Sequence, residues 1–151
     1  NAGGDNDTGI DLATNDQILL KVANATRLTM NATGQTTIVG EGGTTTTNVQ
    51  QGLCKAWIRF NGESTIAIND SFNMASITDN DIGYYTTTYT NPFSNAEQSI
   101  TICSDRDSSN HRLTHHFLES YTTQNLVYLV NKDNSNADCD KIAESIHGDL
   151  A

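Results

Sequence analysis

The chain has 151 residues, enough for one domain with an extension, and Thr (21) and Asn (17) dominate its polar residues. Lys plus Arg total 8 against 18 Asp plus Glu, for a net charge of -10. That balance repels phosphate backbones and anionic lipid surfaces, which argues against nucleic acid and membrane as partners. Thr suits strand faces and Asn suits turns, so the composition predicts an all-β fold. Apolar content is 36%, low for a self-sufficient core, so either part of the chain is loose or part of the core is shared between copies. We favour sharing, because the apolar residues recur in strand-sized packets along most of the chain.

In chain order, Asn1 to Gly9 reads as an extended lead-in, and the start at Asn1 rather than Met suggests a piece of a longer polypeptide. The packets Ile10 to Leu12, Gln17 to Val22, Arg27 to Met30 and Thr36 to Val39 follow, separated by Asn-, Asp- and Thr-rich turns. In a single copy, Ile18, Leu20, Val22, Leu28, Met30 and Ile38 would stay partly in water, whereas three copies around an axis would bury them. Glu41 to Asn48 reads as a linker or edge strand, which divides the chain into a stem, 1–48, and a domain, 49–151. That domain opens with CKAWIRF, an Asn61-Gly62 turn, STIAI, an Asn69-Asp70 turn, FNMASIT, the turn Asp79 to Asp81, and IGYYTTTY. Such strands with tight Asn/Asp/Gly turns predict an antiparallel meander or one face of a β-sandwich.

Further on, Glu97 to Cys103 reads as a strand with Ile100 and Ile102 on one face. His111 to Leu118 is a strand or an irregular piece, Tyr121 to Asn131 a strand, and Lys141 to Ile146 a strand or short helix. Thr90 to Ala96, Ser104 to Asn110 and Lys132 to Asp140 read as loops. Cys54, Cys103 and Cys139 form no CxxC knuckle or disulfide framework. Cys54 and Cys103 fall in strand packets and read as small buried residues, with a Cys54–Cys103 bridge as the alternative. Unpaired thiols fit assembly in a reducing cytoplasm. No apolar run is long enough to span a bilayer, and there is no signal-peptide pattern. The sequons at Asn24, Asn31 and Asn69 are what an Asn- and Thr-rich chain produces by chance.

The central stretch resembles the C-terminal domain of bacteriophage tail-fibre proteins. The resemblance rests on Ala56, Trp57, Ile58, Phe60, Asn61 and Gly62, then Asp70 to Asn73, Ser76 to Asn80, Gly83 and Tyr85. Upstream, Arg27 to Met30, the Asn31 to Gly34 turn and a strand ending at Gly40 look like the stem repeat of such fibres. The chain departs from the family at Thr87, where an aliphatic residue is usual, and at Gln98, where an aromatic is common; HRLTHHFL and KIAESIHGD match loosely. The resemblance implies an intertwined homotrimer, a β-rich stem followed by a β-sandwich tip. It also implies a place in the virion tail fibre, contact with other tail-fibre or virion proteins, and recognition of a bacterial surface glycan or outer-membrane protein.

Alternation places Ala56, Ile58 and Phe60 inward, and Lys55, Trp57 and Arg59 on the opposite face. Trp57 there either stacks on a sugar ring or fills a contact between copies. Tyr85 is assigned to the core or an interface. Tyr84 points the other way, as a saccharide contact or a solvated strand tyrosine. Loops carry recognition on rigid scaffolds, which adds Phe93 and Arg106 as receptor-contact candidates; Arg112, in the His111 to Leu118 piece, is a further one. His115 or His116 on a threefold axis is a weak candidate for a metal; an exposed or pH-sensitive cluster is the simpler reading. Asp79 to Asp81 and the acidic loop before Asp140 lack calcium-loop spacing, so no cofactor is expected. Glu63, Glu97, Glu119 and Glu144 are scattered, without the paired carboxylates of a glycoside hydrolase, so the expectation is no enzyme. The alternatives are a structural fibre or capsid decoration protein without a receptor, and a tailspike polysaccharide hydrolase.

Overall fold

The structure, a computed structural model, describes residues 8–12, 16–40, 42–104, 112–113, 119–131 and 135–151. It is all-β with antiparallel sheets apart from one short helix, and it divides into two compact units, Asn1–Leu53 and Cys54–Ala151.

The first unit holds β1 (Gly9–Asp11), β2 (Ile18–Val22), β3 (Ala25–Met30), β4 (Thr36–Val39) and β5 (Thr46–Asn48), paired in chain order as one five-stranded sheet. The β2–β3 loop is only Ala23-Asn24, both at positive φ (51° and 56°), the primed geometry whose twist matches a two-residue hairpin. Asn31 builds the next turn, its Oδ1 accepting from Thr33 N, Thr33 Oγ1 and Gln35 N. β5 is an edge strand, and the one-turn helix α1 (Val49–Gly52) follows, capped by Asn48 Oδ1 accepting from Gln51 N. Gln50 then ties α1 to the sheet, accepting from Thr36 N and donating to Gly34 O.

Register places Ile10, Leu20, Leu28 and Ile38 in one cross-strand row, with Ile18 and Met30 paired beside it. This apolar face is open. Ile10 is 67% exposed, Val22 51%, Leu20 and Ile38 38% each, and Leu28 is half-buried. The Asp11–Lys21 ion pair and the buried Leu19 belong to the other set of alternating positions.

The second unit contains β6 (Ala56–Asn61), β7 (Ala67–Phe72), β8 (Met74–Asp81), β9 (Tyr84–Tyr89), β10 (Ser99–Ser104), β11 (Arg112–Leu113), β12 (Gln124–Tyr128), β13 (Val130–Asn131) and β14 (Ile142–His147). They form a four-stranded sheet, β10-β14-β6-β7, a three-stranded sheet, β12-β9-β8, and the β11-β13 ribbon. The expected turn at Asn69-Asp70 is absent: β7 runs through both residues to Phe72, held by pairing with β6. The chain turns instead at Asn73, with φ 57°. The Asn73 side chain donates to Lys55 O and Asn91 O and accepts from Asn91 N. β7 and β8 therefore lie in different sheets, and the central stretch is not a simple meander.

The inward residues of both sheets meet in one core. Ile58 and Phe60 of β6, Ile142 of β14, Tyr85 of β9 and Val127 of β12 are each at most 1% exposed. Phe60 packs edge-to-face on Tyr85 at 5.3 Å, a pairing that suits the ring quadrupoles. Gly62 is required beside this pair, because a Cβ there would lie 2.5 Å from Tyr85 Oη. Tyr85 Oη shares its one hydrogen between Gly62 O (2.9 Å) and Asp138 Oδ1 (2.8 Å), and Asp138 Oδ1 also accepts from Gly83 N (2.7 Å). A second cluster joins Ala56, Tyr89, Phe93 and Ile146.

Other expectations are corrected by this packing. The tail ambiguous between strand and helix is a strand, β14, central in its sheet. The expected strand Tyr121 to Asn131 begins only at Gln124, after a turn closed by Tyr121 N to Gln124 O, and breaks at Leu129. There the Leu129 N–H donates to Gly83 O and its carbonyl accepts from Ala137 N, so pairing passes from β9 to β11. All three cysteines are free, with Cys103 exposed on the outer face of β10, so it is neither buried nor bridged to Cys54. Lys55, expected outward, is 9% exposed, and its N–H donates to Ile146 O, continuing the β6–β14 pairing.

Candidate functional site

Pairing brings the outward positions of β10, β14, β6 and β7 into rows. One row reads Thr101, Ser145, Trp57, Phe72, and the next reads Cys103, Ala143, Arg59, Asp70. Trp57 is half-buried and Phe72 is 51% exposed, so a flat aromatic edge stands among small side chains. Arg59 and Lys141 line two adjoining clefts. One, of about 260 Å³, reaches Cys103 and Ser104; the other, of about 370 Å³, reaches Asn61, Asn69 and Asp140. Lys141 lies 3.7 Å from the Asp140 carboxylate.

On the outer side of β12-β9-β8, Tyr84 stacks on Tyr128 at 4.1 Å with the rings 9° from parallel. Its partner covers one face of the ring, so Tyr84 is not the lone solvated tyrosine of the sequence reading. Tyr121 Oη donates to Glu119 Oε2 at 2.6 Å, and Glu119 O accepts from Leu126 N at 3.3 Å, which holds this carboxylate beside β12. The neighbouring Tyr84 hydroxyl, with desolvation second, pushes Tyr128 up to about 12, and the bond to Glu119 raises Tyr121.

Phe93 does not serve as a surface contact. It is 2% exposed, packs edge-to-face on Tyr89 at 4.8 Å, and bridges to Leu150 near the chain end. The backbone bond from Phe93 N to Thr122 O pins it inward. Arg106, His115 and His116 lie outside the described residues, and of Arg112 the backbone alone is described, in β11. Among the described residues, no three His, Cys, Asp or Glu side chains gather to hold a metal ion, and no helix is long and apolar enough to cross a membrane.

Glu144, one of the four scattered acids of the sequence, is not a surface carboxylate. Glu144 occupies an inward position of β14 and is 1% exposed. Thr87 Oγ1 donates to its Oε2 at 3.1 Å, and Asn125 Nδ2 donates to its Oε1. Asn125 Oδ1 is buried and has no hydrogen-bond partner among the described residues. Burial pushes the Glu144 carboxyl up to about 7, against the two hydrogen bonds, which favour the charged form. The signal was present: Thr87 stands between Tyr85 and Tyr89 in the alternation of β9, and Glu144 breaks the alternation of Ile142 and Ile146 in β14. The two interruptions are partners. Burial holds the Tyr85 and Tyr89 hydroxyls well above the ordinary phenol range, so both stay protonated.

No family model, curated protein or solved structure matches this chain.

Proposed function

We propose that the chain is a segment of a bacteriophage tail fibre, a homotrimeric stem followed by a β-sandwich tip that recognises the bacterial surface. The observation that carries this reading is the open apolar face of the first unit. Ile10, Ile18, Leu20, Val22, Met30 and Ile38 are each at least 38% exposed on one sheet. Transfer of such side chains from water is worth roughly 25 cal/mol per Å², so a face of this kind favours association. Three copies around an axis cover it, and closure about the axis leaves no open-ended stack. In the second unit, two sheets that share one core support the sandwich, and their outer faces offer Trp57, Phe72, Tyr84 and Tyr128 to a receptor. Threefold repetition of one weak site raises avidity well above that of a single site.

The test is the mass of the 151-residue chain by light scattering. A trimer is expected, together with a shift toward monomer when Leu20→Asp places a charge in the middle of the apolar row. A stable, folded monomer of the unaltered chain overturns the reading.

A further inference from the structure

The Arg59 cleft carries a reading that rests on the proposed recognition role and gives it a ligand chemistry. Among the described side chains of the second unit the cations are Lys55, Arg59 and Lys141. Lys55 is buried, whereas Arg59 and Lys141 are exposed and line the same two clefts. In a chain of net charge -10, the exposed described cations of this unit are thus concentrated at one place.

Their situations differ. Asp140 stands 3.7 Å from Lys141 and offsets its charge. Arg59 makes no ion pair among the described residues, although Asp70 is its cross-strand neighbour. Asp70 is turned to its own backbone, Oδ1 accepting from Ser71 N at 2.9 Å. The Asn61 amide is engaged with Glu63 and Thr65, so it fixes the wall and leaves its neighbours to meet a ligand. The Asn69 side chain, which also lines this cleft, has no hydrogen-bond partner among the described residues and is exposed. Two positions along β6, Trp57 and its cross-strand partner Phe72 supply a flat apolar edge.

We infer that this cleft binds a carboxylated saccharide of the bacterial surface, Arg59 taking the carboxylate, Asn69 a ring hydroxyl, and Trp57 with Phe72 the apolar face of a neighbouring sugar. A guanidinium presents two parallel N–H donors to a carboxylate, a geometry that an ammonium does not reproduce. An amide both donates and accepts, as hydroxyls require. The two small clefts suit sugar units rather than a protein loop with a large apolar anchor. One uncompensated guanidinium matches the one carboxylate of the sugar seated in the cleft.

The experiment titrates the whole 151-residue chain with polygalacturonate oligomers and with neutral dextran by isothermal calorimetry, at low and raised salt. Polygalacturonate is expected to bind and to weaken as salt rises, while dextran gives no heat. Arg59→Gln is expected to weaken polygalacturonate binding about tenfold or more, on the magnitude of hydrogen bonds to charged groups, and Arg59→Lys to restore only part of it. Asn69→Ala, on an exposed edge strand, tests the same cleft without touching a charge and is expected to weaken binding severalfold. Arg59→Gln binding as the unaltered chain does, equal affinity for dextran, or no binding of polygalacturonate overturns the assignment. The mass measurement separates the two proposals: a trimer that ignores polygalacturonate sinks the ligand and keeps the fibre, and a monomer that binds it does the reverse.

Discussion

The two units use the same strand grammar and end in opposite situations. In the second, the inward positions of β6, β9 and β14 meet another sheet, and Phe60, Tyr85 and Ile142 are fully buried. In the first, Leu20, Leu28 and Ile38 line up in one row across β2, β3 and β4, yet Leu20 and Ile38 remain 38% exposed and Val22 51%. Alternation marks which face wants to be covered; it does not say that the same chain supplies the cover. In one unit the core is enclosed by strands of the same unit; in the other the apolar face stays open.

The sharpest way to break this contrast is to make equivalent cavities in both units. Phe60→Ala in the second unit is expected to cost about 3–5 kcal/mol, the range for deleting a large buried aromatic. That loss should not depend on protein concentration, since every contact of Phe60 lies within the chain. Leu20→Ala in the first unit should cost little in a dilute single copy and progressively more as concentration rises, if copies cover the face. Denaturant melts at two concentrations a hundredfold apart measure both. A Leu20→Ala loss that is constant with concentration would mean that the apolar face is tolerated in water.

The alternation that makes this comparison possible was readable in the residues. Ala56, Ile58 and Phe60 inward, Tyr85 inward, and Ile100 with Ile102 on one face of β10 all follow from period two. What escaped was non-local. Asn69-Asp70 has the chemistry of a turn and also that of an exposed edge strand, and only pairing with β6 decides between them. Phe93 follows Pro92 in a loop-like stretch, and the residues that enclose it, Tyr89 and Leu150, straddle it, one of them at the chain end. Arg59 and Lys141 are far apart in sequence, and the pairing of β6 with β14 brings them to one cleft.

A smaller effect probes the inner layer of the second unit through Glu144. Its carboxyl is raised from 4.5 to about 7 by burial. The folded chain therefore holds this proton more tightly than the unfolded chain does. The associated stability is fully present below pH 4.5, is lost as pH rises toward 7, and is flat above that. The shift corresponds to about 3 kcal/mol at 1.36 kcal/mol per unit. Glu144→Gln keeps the shape and the neutral form, so it should match the unaltered chain near pH 4 and exceed it near pH 8. The difference between the two melts isolates Glu144 from the many surface carboxylates. If the variant is no more stable at pH 8, then Thr87 and Asn125 hold the charged form well enough to cancel the burial.

The smallest effect sharpens the contrast from the other side, by improving the first unit without touching its apolar face. Ala23 sits at φ 51° in the two-residue β2–β3 loop. A side chain with a Cβ is disfavoured there by roughly 1–2 kcal/mol, while Asn tolerates the left-handed region by bonding locally. Ala23→Asn leaves the entropy of the unfolded chain nearly unchanged, unlike a glycine at the same place. A gain of about 0.5 kcal/mol is expected, seen as roughly twofold slower hydrogen exchange of the β2 and β3 amides. Because the substitution acts on the turn and leaves Leu20, Leu28 and Ile38 as they are, the gain should be the same at low and high concentration. A gain that appears only in the assembled state would place Ala23 itself in the contact between copies, and the covered surface would then extend past the strand ends to the loop.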